Sequence, residues 1–376
     1  MLAAAAGIRV DLGGDLAAEM TVRELWRVYR AHLVTQNRTS GTLIRYEVVA
    51  ELFDTAFGAR RLLEVTTSSV EEFLTELGQA KGPSGVRTGR TVLSGMFRYA
   101  VRKDALTVNP VREAQAPQNI EPKGRTGGAG EITVDELRFI LAAVRSSPLP
   151  CPRKLSRAER NRSIPIRAYP PPTVADYCDN ADLADLVTLL GATGLRRSQV
   201  LGLLWSDIDL MARTLRCTGK VVRVRGHGLV RVARRDDPKN RRGTIALADF
   251  AVAMLTRRQA LLTERRSIDP PDSTAEVLDL VFPSARWTLR DPQNVGHEWQ
   301  RVRQALGIAD DITAHSVRGA VATILDDAGL SARVTADVLG HADPAMTQRH
   351  YMARGRTHRA AAEALDRALA APPNLL

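Results

Sequence analysis

Cysteine is scarce in this chain of 376 residues. Its three thiols, Cys151, Cys178 and Cys217, are odd in number and unclustered, so they supply neither a disulfide framework nor a zinc site. No apolar run approaches the roughly 18–20 residues that span a bilayer, which excludes a helical membrane protein. The opening stretch, Met1 to Gly7, has no basic segment and soon meets Asp11, so no secretory leader is expected. These absences point to a reducing, cytoplasmic setting away from membranes. Lysine is scarce too: only Lys81, Lys103, Lys123, Lys154, Lys220 and Lys239 stand among 53 basic residues. A GC-rich genome would produce the same bias.

What is present is ordinary in amount and unusual in sign. At 44% hydrophobic and 25% charged, the chain can bury real cores, and its length suits two or three domains. A net charge of +11 favours a polyanionic partner, and the pI of about 10.1 is the footprint of a nucleic-acid binder. Charge alone also fits a basic protein with a solvated surface.

Residues 21–115 carry four runs at helical spacing. These are Val22, Leu25, Trp26 and Tyr29; Tyr46, Val49, Ala50 and Phe53; Val70, Phe73, Leu74 and Leu77; and Val92, Met96, Tyr99 and Ala100. Gly58, Gly82-Pro83 and Asn109-Pro110 punctuate them, predicting a small all-α domain behind a short extension, 1–20. Residues 116–132, rich in Pro and Gly, read as a linker. A second domain, 133–376, opens with a helix after Thr133. Residues 147–180, with seven prolines, are expected to be an irregular insertion. Helices are predicted over 181–191, from 193 to before Trp205, and over 250–263, 295–306, 316–328 and 334–339. Between them, Val222, Val224, Val230 and Val232 flank Gly226-His227-Gly228 as a hairpin, with 244–247 as a third strand. Arg223, Arg225 and Arg231 would then share a basic face.

The chemistry is carried by scattered residues. His315 and Arg318, at i and i+3, share a helix face and can act on one ligand. His341 follows a helix end marked by Gly340, and Tyr351 stands ten residues later. Arg196 opens a helix after a glycine, and Lys239 lies in a turn. Each alone is weak, since a lone arginine is usually a solvated side chain. Together they suit attack of a tyrosine on a phosphodiester. Two guanidiniums can bind the oxygens that gain charge in the transition state. An imidazole can take the tyrosine proton, whose loss at pH 7 costs about 4 kcal/mol, and a lysine can protonate the leaving oxygen. No carboxylate cluster for metal ions is apparent. His315, His341, His350 and His358 have no metal-ligand spacing.

Residues 193–209 (TGLRRSQVLGLLWSDID), 238–247 (PKNRRGTIAL), 315–323 (HSVRGAVAT) and 338–351 (VLGHADPAMTQRHY) resemble the successive boxes of the tyrosine recombinases, or phage integrase family. Residues 281–307 are similar to the segment before its histidine box, and the N-terminal helices to its core-binding domain. The resemblance runs from about residue 21 to 360. It implies a mainly α fold with a small antiparallel β-sheet: an all-α, SAM-like core-binding domain followed by an α+β catalytic domain. Arg196 and Arg318 would grip the scissile phosphate. Lys239 would protonate the leaving 5′-hydroxyl, and His315 would assist with the tyrosine proton. His341 would hydrogen-bond the phosphate, and Tyr351 would form a 3′-phosphotyrosine bond, with no ATP, metal or other cofactor. Arg223, Arg225, Arg231, Arg241 and Arg242 are candidate DNA contacts. The implied partners are double-stranded DNA and three further copies, a homo-tetramer on two sites working through a Holliday junction. The C-terminal segment, 355–376, would pack on a neighbour. An accessory DNA-bending or directionality factor belongs to the same expectation, as does integration or excision of a phage or mobile element.

The sequence departs from the family pattern at three places. Gln199 stands where a glutamate usually holds the first arginine, so a hydrogen bond survives and a charge pair does not. Gly319 replaces a common histidine, and the stretch after Lys239 is short. Some 20 residues before the first helix are too few for the arm-binding domain of many phage integrases. Two alternatives stand beside the recombinase: an inactive DNA-binding relative, and an enzyme like a type IB topoisomerase that relaxes DNA.

Overall fold

The computed structural model describes residues 19–36, 38–118, 120, 129–153, 170–224, 226–233, 243–271, 278–340 and 345. Two compact units divide between Thr126 and Gly127, inside the stretch read as a linker.

The first unit is helical. In α1 (Val22–Thr35) the Thr21 hydroxyl accepts the Glu24 N–H while the Glu24 carboxylate takes the Thr21 N–H, a reciprocal cap that fixes where the helix starts. Its buried stripe is Val22, Leu25, Tyr29 and Leu33. α2 (Ser40–Phe57) follows, then a 3-10 turn, Leu62–Glu64, and α3 (Thr67–Arg102). Gly82 breaks α3 with φ 72° and ψ −173°, a conformation glycine adopts without strain, and Pro83 restarts it. Four helical segments therefore occupy the four periodic runs. Phe53, Phe97, Leu25 and Leu74 lie at their centre, with Trp26 edge-on to Phe53 and Phe57 edge-on to Phe73. Asn109 closes the unit by donating to the Ser94 carbonyl and accepting the Val111 N–H. Beside it, Arg90, Ser94, Arg98, Asn109 and Arg112 line an open groove of about 560 Å³.

The second unit begins with α4 (Val134–Ser146), capped by Thr133 and Glu136 in the manner of α1. The expected irregular insertion is corrected at its closing end. Pro150 bridges Thr173, and α5 (Val174–Asn180) starts from a Thr173–Asp176 cap and buries Val174 and Cys178 one turn apart. Seven residues are too few to show periodicity, and the proline run before them hid the helix. Residues 154–169 lie outside the described residues.

α6 (Leu183–Thr193) is buried almost all round, which an apolar helix at the middle of a domain must be. After the short α7 (Arg197–Val200), β1 (Ile208–Asp209) and β2 (Thr214–Leu215) pair antiparallel. β3 (Gly219–Val224) and β4 (Gly228–Ala233) form the hairpin. β5 (Ile245–Ala246) pairs with β2, so the third strand joins a separate small sheet and does not extend the hairpin. Burial along β3 is less regular than the alternation suggests: Val221 is the core residue, while Val222 and Val224 are half-buried. Then come α8 (Asp249–Ile268), α9 (Pro292–Ala305), α10 (Ala314–Asp327) and α11 (Ala332–Leu339). α6 packs against α4, α8 and α10. No helix among the described residues is long and apolar enough to cross a membrane.

One buried ionic cluster braces this unit. Arg258 lies in the core and reaches Asp182 at 2.9 Å and the Val281 carbonyl at 2.6 Å, its guanidinium 4.1 Å over the Phe282 ring. Asp185 takes Arg145 and Arg257 at 2.9 and 2.8 Å. Satisfied on several sides, these charges bear a burial that unpaired ions could not.

Candidate active site

The site is built where α6 ends. Gly194 adopts φ 58° and caps the helix, its N–H bonding the Leu190 carbonyl. A Cβ there would stand 2.7 Å from Leu339 Cδ2 and 3.3 Å from Val321 Cγ1, so this turn is pressed against α10 and α11. Gly194→Ala meets both objections at once. The left-handed backbone and the overpacking should together cost about 2 kcal/mol or more. Urea unfolding is expected to show the loss, and the variant's DNA cleavage should fall with it.

Arg196 follows in extended conformation, and its backbone N–H donates to Gln199 Oε1 at 3.0 Å. The glutamine therefore fixes the main chain at Arg196 from a buried position, a bond that needs no carboxylate charge.

Arg318 ties the centre together. It is 1% exposed on α10, and its Nη1 donates to the Gly194 carbonyl at 2.6 Å while Nη2 donates to the Leu339 carbonyl at 2.8 Å. One guanidinium thereby joins the turn leading to Arg196 with the helix end leading to His341. Two of its five N–H donors make these bonds. His315, one turn earlier on the same helix, has its N–H held by the Thr313 hydroxyl. Much of its surface is open, yet the packing around its ring pushes its pKa down. Arg318, Arg196 and Arg197 push the same way. The imidazole is therefore neutral at pH 7, able to accept a proton and reluctant to keep one. For stability the sign is clear: this contribution is whole above the ordinary histidine value of about 6.5 and is lost as pH falls through the lowered one.

Lys239, His341, Tyr351, Arg225, Arg241 and Arg242 lie outside the described residues. Of the remaining basic candidates, Arg231 is not on an open face. Its guanidinium is enclosed, donating to the Gly202 carbonyl at 2.7 Å and to Thr218 at 2.6 Å, with Asp207 at 3.5 Å. It is a brace between the hairpin and the end of α7. Arg223 is half-exposed and engages Asp291 through two bonds, 2.6 and 3.1 Å. Burial raises the Asp291 carboxyl, but the Arg223 bonds, the Gln293 N–H and the charge of Arg197 outweigh it and hold the pKa low.

Two residues that sequence reasoning passed over belong to this centre. Arg197 is inserted beneath α9, and Asp291 caps that helix. Asp291-Pro292 could have been read as an N-cap followed by a first-turn proline. Nothing in the sequence separates Arg197 from any other arginine.

Residues 172–358 match the phage integrase family, a span that holds α5, the Arg196 turn, the His315–Arg318 helix and the end of α11. The chain belongs to this family of tyrosine recombinases. Its members are enzymes that cleave and rejoin DNA. The chain is 30% identical over 186 residues to tyrosine recombinase XerD of Shewanella oneidensis, a match over 49% of this chain and 54% of that protein, little over half its length. It is 23% identical to tyrosine recombinase XerD of Corynebacterium glutamicum across 88% of this chain and 93% of that one. Among solved structures, a Tn1549 transposon integrase in complex with transposon right end DNA superposes at a TM-score of 0.69 and 17% identity. It covers 94% of this chain and is itself covered completely. A lambda integrase tetramer bound to a Holliday junction superposes at a TM-score of 0.55 and 19% identity, covering 91% of this chain and 80% of the integrase chain. At such identities the structural likeness concerns the fold: mainly helical, with small antiparallel sheets.

Proposed function

We propose that this chain is a site-specific recombinase that cuts and rejoins double-stranded DNA through a 3′-phosphotyrosine bond at Tyr351. Arg196 and Arg318 bind the nonbridging oxygens of the scissile phosphate, and His341 hydrogen-bonds it. His315 accepts the tyrosine proton, and Lys239 protonates the 5′-oxygen as it leaves. The phosphodiester is exchanged for a phosphotyrosine ester of similar energy, so the reaction needs neither ATP nor a metal ion. The observation that carries this reading is the Arg318 clamp. It gathers the Arg196 turn, the His315 helix and the end of α11 around one buried cation.

Four copies would act on two duplexes, in keeping with the lambda integrase tetramer on its junction. Each copy would hold DNA by phosphate contacts, and Arg90, Arg98 and Arg112, which line the groove of the helical unit, are candidates for some of them. Integration or excision of a mobile element is the reading favoured by the transposon integrase, whose fold covers nearly the whole chain. The test begins with covalent capture of nicked duplexes from a randomised library, which reveals the site. A plasmid bearing two copies of that site should then recombine in EDTA without ATP. Relaxation of supercoils with no exchange of partners would instead favour the topoisomerase-like activity. Binding with no adduct would favour an inactive relative.

A further inference from the structure

His315 is the second residue of α10, so its place depends on how that helix is entered. The entering peptide, Ile312–Thr313, is fixed at both ends. The Thr313 N–H donates to the Ser316 hydroxyl at 2.9 Å, and the Thr313 hydroxyl takes the His315 N–H at 3.3 Å. At the other end the Ile312 carbonyl accepts two donors from α9, the Trp299 indole N–H and Arg303 Nη1, both at 3.0 Å. A carbonyl has two lone pairs, and both are used here. The preceding carbonyl, of Asp311, takes the Gly130 N–H at 2.9 Å and the Ser316 hydroxyl at 3.3 Å.

Arg303 is buried, 5% exposed, and its Nη2 reaches the Asp310 carboxylate at 2.7 Å on the same turn. Its Nε is buried with no hydrogen-bond partner among the described residues. One guanidinium thus spans residues 310–312 from the side of α9. A buried cation paired with a largely exposed carboxylate is a poor source of stability, and an apolar side chain of similar volume often serves as well. Such a side chain could not aim the Ile312 carbonyl. We propose that Arg303, assisted by Trp299, is a positioning residue: by fixing that carbonyl it sets the entry of α10, and with it the His315 ring against the reacting tyrosine. The inference rests on the proposed function where it speaks of the tyrosine; the placing of the ring stands on the hydrogen bonds alone.

Three variants and two readouts test it. Arg303→Met keeps apolar bulk and deletes the donors, Arg303→Lys keeps a cation that can donate, and Trp299→Phe deletes only the indole N–H. In the protein without DNA, the NMR resonances of the His315 ring, assigned by their loss in His315→Gln, should shift in Arg303→Met and largely return in Arg303→Lys. Single-turnover adduct on a nicked suicide duplex should fall about tenfold in Arg303→Met and about threefold in Trp299→Phe, with DNA affinity within about twofold of the parent. Added to His315→Gln, Arg303→Met should cost less than about twofold, because the ring it places is already gone. Should Arg303→Met not fold, Trp299→Phe carries the same two readouts. Unmoved ring resonances would overturn the inference. So would an equal fold-loss in both backgrounds when His315→Gln is itself slow, which would make Arg303 a general brace of the unit. If the ring resonances move but His315→Gln forms adduct at the parent's rate, the positioning stands and the proposed proton role of His315 falls.

Discussion

Arg318→Ala is expected to remove DNA cleavage and to loosen the catalytic unit in the same step. On the proposed mechanism it deletes a fork-shaped cation from the reacting phosphate, and loss of one such donor typically costs about 100- to 1,000-fold in rate. In the resting protein it withdraws the guanidinium donors that the carbonyls of Gly194 and Leu339 accept at 2.6 and 2.8 Å. A buried carbonyl left without its donor costs about 1–3 kcal/mol, partly offset because the variant no longer buries a charge. Urea unfolding with single-turnover adduct formation separates the two effects. Arg318→Lys retains charge without the fork; it should recover more stability than activity, because one ammonium cannot replace two guanidinium nitrogens. Adduct formation within about threefold of the parent in Arg318→Ala would remove this residue from the phosphate site.

Lys239→Ala should be nearly as damaging to cleavage, and its defect should be repairable by chemistry. An alkoxide leaves poorly without a proton, whereas a thiolate leaves without one. A duplex carrying a 5′-bridging phosphorothiolate at the scissile position should therefore bring the variant most of the way back, while Arg318→Ala stays slow on the same DNA. The other lysine after residue 155 is Lys220, on β3, where its main chain packs so closely on Gly202 that a Cβ there would stand 2.8 Å from the Lys220 Cα. Lys220→Ala is expected to act on both substrates alike. Rescue of Lys220→Ala in place of Lys239→Ala would transfer the acid's role to β3.

The sequence made the helices legible because their signals are local. The capping pairs Thr21–Glu24 and Thr133–Glu136, the apolar spacing and the Gly82-Pro83 break are written within a few residues of one another. Of the candidate centre, the structure describes Arg196, His315 and Arg318, which the sequence singles out because those residue types are uncommon in that combination. What stayed hidden was decided by contacts between distant segments. Arg223 and Arg231 alternate along a hairpin as two equal basic residues, yet one meets Asp291 across 68 positions and the other turns inward to Gly202, Thr218 and Asp207. β5 pairs with β2 because the two buried residues of that register, Leu215 and Ile245, face the same core, a fact the alternation of the hairpin could not announce. The α5 helix was lost behind prolines. Arg197 was lost because enclosure under a glycine of α9 leaves no mark in the sequence.

On the proposed mechanism Tyr351 becomes joined to DNA. Protein trapped on the nicked suicide duplex should be digested, and the nucleotide-bearing peptide sequenced by mass spectrometry. The 3′-phosphate is expected on Tyr351, and Tyr351→Phe should give the same gel shift with no adduct at all. A phosphate found on any other residue, or cleavage at the same bond by the Tyr351→Phe protein, would rule Tyr351 out as the nucleophile.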